Sequence, residues 1–267
     1  MKKVTKLVLP VAGRGVRLKP LTLHTPKNLI KVHGRPLLEY ALDEAAQSGI
    51  RDVILIVNPA HSGNFRHYLK VGGKRYPSLR FHIRVQETPG GNGHAIVKAY
   101  DLIKNEPFAV RFCDDIIVGK EPVLNSLVRI FNSYRAPILL LERVPRSLVS
   151  RFGVVGIRAA AKKTKIGGKI YGITKIIEKP ALSLAPSNLT IVGGYVLTPR
   201  ILDSLKSVAD TLPVIADDAL PLAVALQIEL MLHGEVFGWE FPGKRLDCGT
   251  LERLRKTEKF LDEHPVS

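Results

Sequence analysis

This chain contains no apolar run long enough to span a bilayer, and the apolar part of its start (MKKVTKLVLPVAG) is too short for a signal peptide. Cysteine is scarce. Cys113 and Cys248 are the only two, which excludes a disulfide framework and points to a reducing cytoplasm. The eight histidines show no His-x-x-x-His spacing and there is no Cys-x-x-Cys pair, so a structural zinc site is not expected. No Pro/Gly/Ser-rich linker interrupts the sequence and no internal repeat recurs, which favours one domain over residues 1–267.

Acidic residues are also in deficit, 24 against 40 basic, for a formal net charge of +16. That balance invites a nucleic-acid reading. However, the basic residues are spread along the chain. The densest run (Lys162, Lys163, Lys165, Lys169) is broken by Gly167-Gly168 and reads as a solvated hairpin tip. No nucleic-acid partner and no membrane partner are expected; a positive field equally speeds the capture of substrates that carry several phosphates.

Two further absences concern the phosphate loops themselves. A dinucleotide fingerprint needs a third glycine where this chain has Leu18, and no Gly-Lys-Ser/Thr closes a Walker-type loop anywhere. What is present is an apolar run (Leu7, Val8, Leu9, Val11) that stops at Gly13-Arg14-Gly15, followed by Arg17, Lys19 and Lys27. Gly-x-Gly alone serves any strand-to-helix turn. With Arg17 and Lys27 attached it becomes a loop whose backbone N–H groups approach an anion while cations neutralise it, as a nucleoside triphosphate requires.

The first half alternates strand and helix patterns. Leu7–Val11, Val53–Val57, Arg80–Val85 and Phe108–Cys113 read as strands, and Pro36–Ser48, Gly93–Ile103 and Pro122–Tyr134 as helices. This rhythm predicts right-handed βαβ units with ligands beyond the C-terminal strand ends. After Ile138–Leu141 the rhythm changes. Phe152–Arg158 and Ile170–Ile177 predict an antiparallel pair, Thr190–Leu197 and Val236–Phe241 further strands, and Ala219–Leu232 and Leu251–Leu261 helices.

Four more groups could carry chemistry. Gln86, before Pro89-Gly90-Gly91-Asn92-Gly93-His94, fits an ordinary polar position or a carboxamide reading a base edge. Asp114-Asp115 ends an apolar run and fits a capping turn or a pair aimed into a ligand crevice. Asp247 fits a cap as well; if it meets Asp114 in space, the two form a hard-oxygen site suited to Mg²⁺. Glu178-Lys179-Pro180 fits a surface ion pair, or a carboxylate for sugar hydroxyls beside an ammonium for phosphate.

Taken together, VAGRGVRLKP, TPKNL, VQETPGGNGHA, CDDII, FGVVGI, IIEKPALSLAPSNLTIVGGYVLTP and GKRLDCGT resemble the nucleotidyltransferases that make nucleoside-diphosphate sugars. The resemblance runs through nearly the whole chain and is strongest to the branch that uridylylates glucose 1-phosphate. It implies a Rossmann-like three-layer α/β fold, with a mainly parallel mixed sheet and a β-rich sugar-binding elaboration. Residues 1–135 would form the nucleotide-binding half and 136–267 the sugar-binding half. Ala12 and Gly13 would hold the base through the backbone, and Gln86 with Gly91 would read its pyrimidine edge. Gly15, Arg17 and Lys27 would take the triphosphate, and Asp114 and Asp247 a Mg²⁺ cofactor. Gly153, Glu178 and Gly193 would line the hexose pocket, with Lys179 on the sugar phosphate and Arg17, Lys27, Asp114 and Lys179 as the catalytic set. A cytoplasmic homo-oligomer is implied.

The chain also departs from that branch. Val16 replaces a threonine, His24 a lysine and Asn28 an acidic residue, and the stretch 216–223 lacks the branch's polar residues. Thymidylyl transfer to glucose 1-phosphate and guanylyl transfer to mannose 1-phosphate are the alternatives, with a non-catalytic nucleotide-sugar sensor as the alternative of another class. Cys113 and Cys248 each adjoin a carboxylate of the implied metal pair and are expected as buried, inert thiols.

Overall fold

The first apolar run forms β1 (Lys6–Pro10), whose side chains alternate between two cores. A computed structural model describes residues 2–158, 162–163, 166–211 and 220–264. After β1 come the short hairpin β2 (Lys31–Val32) and β3 (Arg35–Pro36), α1 (Leu37–Gln47), β4 (Asp52–Val57) and α2 (Ser62–Val71). Then follow β5 (Arg80–Val85), α3 (Gly91–Val97), α4 (Tyr100–Ile103), β6 (Phe108–Arg111), β7 (Asp115–Val118) and α5 (Val123–Tyr134). The second half contains β8 (Ile138–Arg143), β9 (Gly153–Ile157), β10 (Lys162–Lys163), β11 (Lys169–Glu178) and β12 (Leu189–Leu197). It closes with α6 (Pro199–Thr211), α7 (Leu222–His233), β13 (Phe237–Glu240), β14 (Lys244–Asp247) and α8 (Leu251–Glu263).

The large sheet is mixed. Strands β6, β1, β4 and β5 are parallel neighbours in that order, as the βαβ rhythm predicts. Around β11 and β12 the pairing is mostly antiparallel, including the expected β9–β11 pair, while β13 runs parallel to β8. Leu7 and Leu9 face Leu38 and Leu42 of α1, Phe65 of α2 and Leu127 of α5. Val8, with Ile54 and Ile56 of β4, faces Ile96 of α3, Ile201 of α6 and Leu226 of α7. Helices therefore cover both faces, and the chain has three layers.

A third, smaller core bears directly on the phosphate loop. Leu18 packs with Ile30, Val32, Leu37, Ile116, Leu246, Cys248, Leu254 and Leu261, so α8 and the β7–β14 ribbon brace the loop from outside the main sheet. This ribbon joins residues 115–118 to 244–247 across the two halves.

Several details differ from the sequence expectations. The helix expected over Gly93–Ile103 breaks into α3 and α4 because Lys98 and Ala99 bond back three residues, to Ala95 and Ile96, tightening the turn. α7 starts at Leu222, after Pro221, rather than at Ala219, which lies outside the described residues. α2, α6 and the four-residue strands β7 and β14 were not expected; α2 buries only Phe65, so it carries little apolar periodicity. At the basic tip, Lys162 and Lys163 pair with Ile170 and Lys169, while Lys165 lies outside the described residues, as do residues 216–219.

Candidate active site

Gly15 gives the loop after β1 its shape. It sits at φ +63°, and a Cβ there would lie 2.8 Å from Thr22 Cγ2 and 3.1 Å from Lys27 Cβ. Only glycine combines that dihedral with that clearance. Thr22 Oγ1 donates to Gly15 O at 2.9 Å, folding the loop back on itself and presenting Lys27. Lys27 Nζ donates to Asp114 Oδ2 at 2.6 Å. Arg17 is exposed beside Gly249, whose added Cβ would meet its Nη2 at 3.6 Å; its charge acts on Asp114, but it makes no contact ion pair among the described residues.

Asp114 and Asp247 come together as expected, by a mechanism of the backbone. Cys248 N donates to Asp114 O at 2.8 Å, and β14 pairs with β7 so that Asp247 stands opposite Asp115. Like charges in such a pair repel, and two arginines offset them. Arg245 Nη1 donates to Asp115 Oδ1 at 2.9 Å, its Nε to Glu142 Oε2 at 2.6 Å, and Arg253 pairs with Asp247 Oδ2. Gly249 N donates to Asp247 Oδ1 at 2.7 Å, the turn that a capping reading would predict, yet the N-cap of α8 is Thr250. Burial pushes the Asp114 carboxyl up, but the Lys27 ammonium, with help from a main-chain N–H and the Arg17 charge, outweighs this and holds it below the ordinary carboxylate range. Asp115 goes the other way: burial, then the charges of Asp114 and Asp247, push it up in spite of Arg245.

On the other side, β9 and β11 bring Glu178 opposite Gly153. A Cβ on Gly153 would lie 3.0 Å from Glu178 Oε2, so glycine leaves the carboxylate its space. Lys179 lies 3.7 Å from Glu178, and its backbone is left-handed at φ +44° while its N–H donates to Phe152 O at 3.0 Å. A lysine in that region is strained unless its surroundings hold it there. Gly193 lies where β12 loses register, between Ile191 and Tyr195, and a Cβ there would come within 2.7 Å of Phe112 Cβ.

A cavity of about 570 Å³ unites the two sides. Among its lining residues are Arg17, Asp114, Gly153, Glu178, Gly193 and Asp247. Ala12, Gly13, Gly15, Lys27, Gln86, Gly91 and Lys179 are not in that lining. The residues expected to meet the base instead lie at the C-terminal ends of β1, β4 and β5, where Asn58 Nδ2 donates to Ala12 O at 3.0 Å and Gln86 N to Val57 O at 2.8 Å. Gln86 is buried, and its Nε2 lies 3.1 Å from Gly91 O. Of the departures, Val16 and His24 are exposed and Asn28 is buried.

Asp115, flagged with Asp114 as a pair aimed into a crevice, lines the cavity, and so do Arg245, Arg253 and Asn92, to which sequence reasoning gave no role. A signal for Arg245 existed: in Arg245-Leu246-Asp247 the period of two puts the arginine on the same strand face as the aspartate. Both cysteines are buried as expected, and burial pushes each thiol up to about 12. Among the described residues no three His, Cys, Asp or Glu side chains form a metal cage. Two carboxylates opening on a cavity are the donor set that suits Mg²⁺ carried on phosphates, which keeps its remaining positions for phosphate and water.

A glycine loop with an exposed Arg17, a carboxylate pair and a further carboxylate across one cavity, at the strand ends of a three-layer sheet, fit a nucleotidyl-transferring class. The family model for nucleotidyl transferase matches residues 6–263, and this chain belongs to that family. A UTP–glucose-1-phosphate uridylyltransferase of Staphylococcus epidermidis is 31% identical over 268 residues, covering 93% of this chain and 89% of that protein. A UDP-glucose pyrophosphorylase solved in complex with UDP-glucose matches with a TM-score of 0.84 and 27% identity over 97% of this chain and 99% of that one. The UTP-bound UGPase from Acinetobacter baumannii matches at 0.81 and 27% over 98% and 95%. Among the described residues no helix is long and apolar enough to cross a membrane.

Proposed function

We propose that this chain joins UTP and glucose 1-phosphate into UDP-glucose and pyrophosphate. The observation that carries this reading is the single cavity with Arg17, Asp114 and Asp247 on one side and Gly153, Glu178 and Gly193 on the other. The relatives described above support the choice of substrates. Ala12, Gly13, Gln86 and Gly91 receive the base, and Gly15, Arg17 and Lys27 the triphosphate. Glu178, Gly153 and Gly193 receive the hexose, and Lys179 its phosphate.

Asp114 and Asp247 would hold Mg²⁺, which when bound neutralises charge on the triphosphate oxygens. The protein's own part is orientation and charge. Glu178 and Lys179 aim the sugar phosphate oxygen at the α-phosphorus, in line with the leaving pyrophosphate. Arg17 and Lys27 stabilise the negative charge that builds on the leaving group. No protein nucleophile is needed. A cytoplasmic homo-oligomer belongs to the same reading, and light scattering tests the oligomer.

The deciding experiment measures pyrophosphate release with UTP, dTTP, GTP, ATP and CTP, each crossed with glucose, galactose, mannose and N-acetylglucosamine 1-phosphate. The largest release is expected for UTP with glucose 1-phosphate, and chelation by EDTA should abolish it. Release from no pair at all would sink the proposal. The dTTP arm separates thymidylyl transfer, since a carboxamide on the pyrimidine edge senses neither the 5-methyl group nor the ribose 2′-OH.

A further inference from the structure

The side-chain amide of Gln86 makes two contacts within the fold. Its Nε2 lies 3.1 Å from Gly91 O and 3.0 Å from His94 Nδ1. A carbonyl oxygen only accepts, so the end of the amide facing Gly91 has to be the NH₂. The second amide hydrogen then falls to His94 Nδ1, which must be unprotonated to take it. Burial, with Lys98 close by, lowers the His94 pKa, which keeps the ring neutral near pH 7. Both amide hydrogens are thus committed inside the protein. Oε1, which has no hydrogen-bond partner among the described residues, is the group Gln86 has left for a ligand.

We infer that His94 is a specificity-positioning residue: it holds the Gln86 amide so that a base meets an acceptor and no donor. The inference rests on the assignment of Gln86 to the base made under the proposed function. An acceptor at that place suits a ring that carries an imino N–H, as uracil does at N3. It repels cytosine, whose N3 is itself an acceptor. His94 acts through Gln86 and does not touch the base. Without an acceptor at Nδ1 the amide is free to turn and offer its NH₂, so the penalty against cytosine shrinks.

The test compares kcat/KM for UTP and CTP with saturating glucose 1-phosphate. In His94→Leu the UTP:CTP ratio should fall about five- to tenfold, the weight of one hydrogen bond, as the KM for CTP falls and that for UTP rises. His94→Asn, which keeps an acceptor where Nδ1 stands, should retain most of the ratio. A loss that lowers both nucleotides equally in His94→Leu marks a merely structural role and overturns the inference. Gln86→Ala separates the two levels of the argument. If Gln86→Ala collapses the ratio and His94→Leu leaves it intact, only the role of His94 fails. If Gln86→Ala leaves the ratio intact, the base assignment of Gln86 fails and the inference falls with it. Should His94→Leu not fold, His94→Phe also lacks an acceptor and carries the same expectation.

Discussion

Two ion clusters at the C-terminal strand ends use the same side-chain types for different ends. In the core, Arg111 on β6 is 1% exposed and forks onto Glu44 of α1, with Nη2 to Oε1 at 2.7 Å and Nε to Oε2 at 3.1 Å. Its Nη1 donates to Gly193 O at 2.8 Å, so the guanidinium is used up by the fold and also fixes the irregular part of β12 beside the cavity. In the cavity, Asp114 is paired with Lys27 yet remains 37% exposed at its side chain, and Arg17 acts on it only through space, with no contact ion pair among the described residues. The core cluster is complete without a ligand; the cavity cluster has spare valence. A buried ion pair contributes little net stability but is costly to break, whereas a pair that opens on solvent can exchange partners.

Breaking each cluster should therefore read out on a different scale. Arg111→Met leaves Glu44 buried without a cation and should cost about 3–5 kcal/mol in urea denaturation. Most of that loss should return in the double variant Arg111→Met/Glu44→Leu. If the double variant stays as unstable as the single one, the pair is not the cause. Asp114→Ala or Arg17→Ala should lower turnover by about 10²–10³ while shifting the melting temperature far less than Arg111→Met. A variant that keeps most of its activity removes that residue from the catalytic set.

The smallest effect belongs to a third cluster, at the opposite ends of the strands. There Asp52 at the start of β4 meets Arg80 at the start of β5, and Arg80 is 71% exposed at its side chain. The Arg80 hydrogen bond, aided by His82 and opposed by burial, holds the Asp52 carboxyl down at about 2. A depressed folded-state pKa stabilises the protein above the unfolded value near 4, and that contribution disappears as pH falls through about 2. Asp52→Asn should thus cost about 1–2 kcal/mol near neutral pH, with the gap to wild type closing as pH falls toward 2. A gap that stays constant with pH would mean that the charge is not what stabilises.

The cavity cluster was largely legible in the sequence, and the core cluster was not. Asp114 and Glu178 sit where apolar runs stop, and Arg17 and Asp247 lie in the short blocks VAGRGVRLKP and GKRLDCGT, so local sequence flags all four. Arg111 lies inside the run Phe108–Cys113, and its partner Glu44 belongs to a helix in a distant part of the chain. Nothing local says that this arginine points inward. Arg245 stands between the two: its period-two spacing to Asp247 is local, but its partner Glu142 is 103 residues away. The parallel half of the sheet was readable because its strands are short apolar or alternating runs, each separated from the next by a helix. The β7–β14 ribbon was not: four-residue strands joining chain segments far apart leave no period to detect.

Leu18 in the glycine loop is buried against Leu254 and Leu261 of α8. Along the chain the loop precedes both α8 partners, so on a ribosome it emerges well before the helix that braces it. Until residues 251–263 follow, the proposed triphosphate site lacks its outer wall. A nascent chain would acquire a braced loop only as α8 docks, which ties substrate binding to the synthesis and packing of a segment distant in sequence.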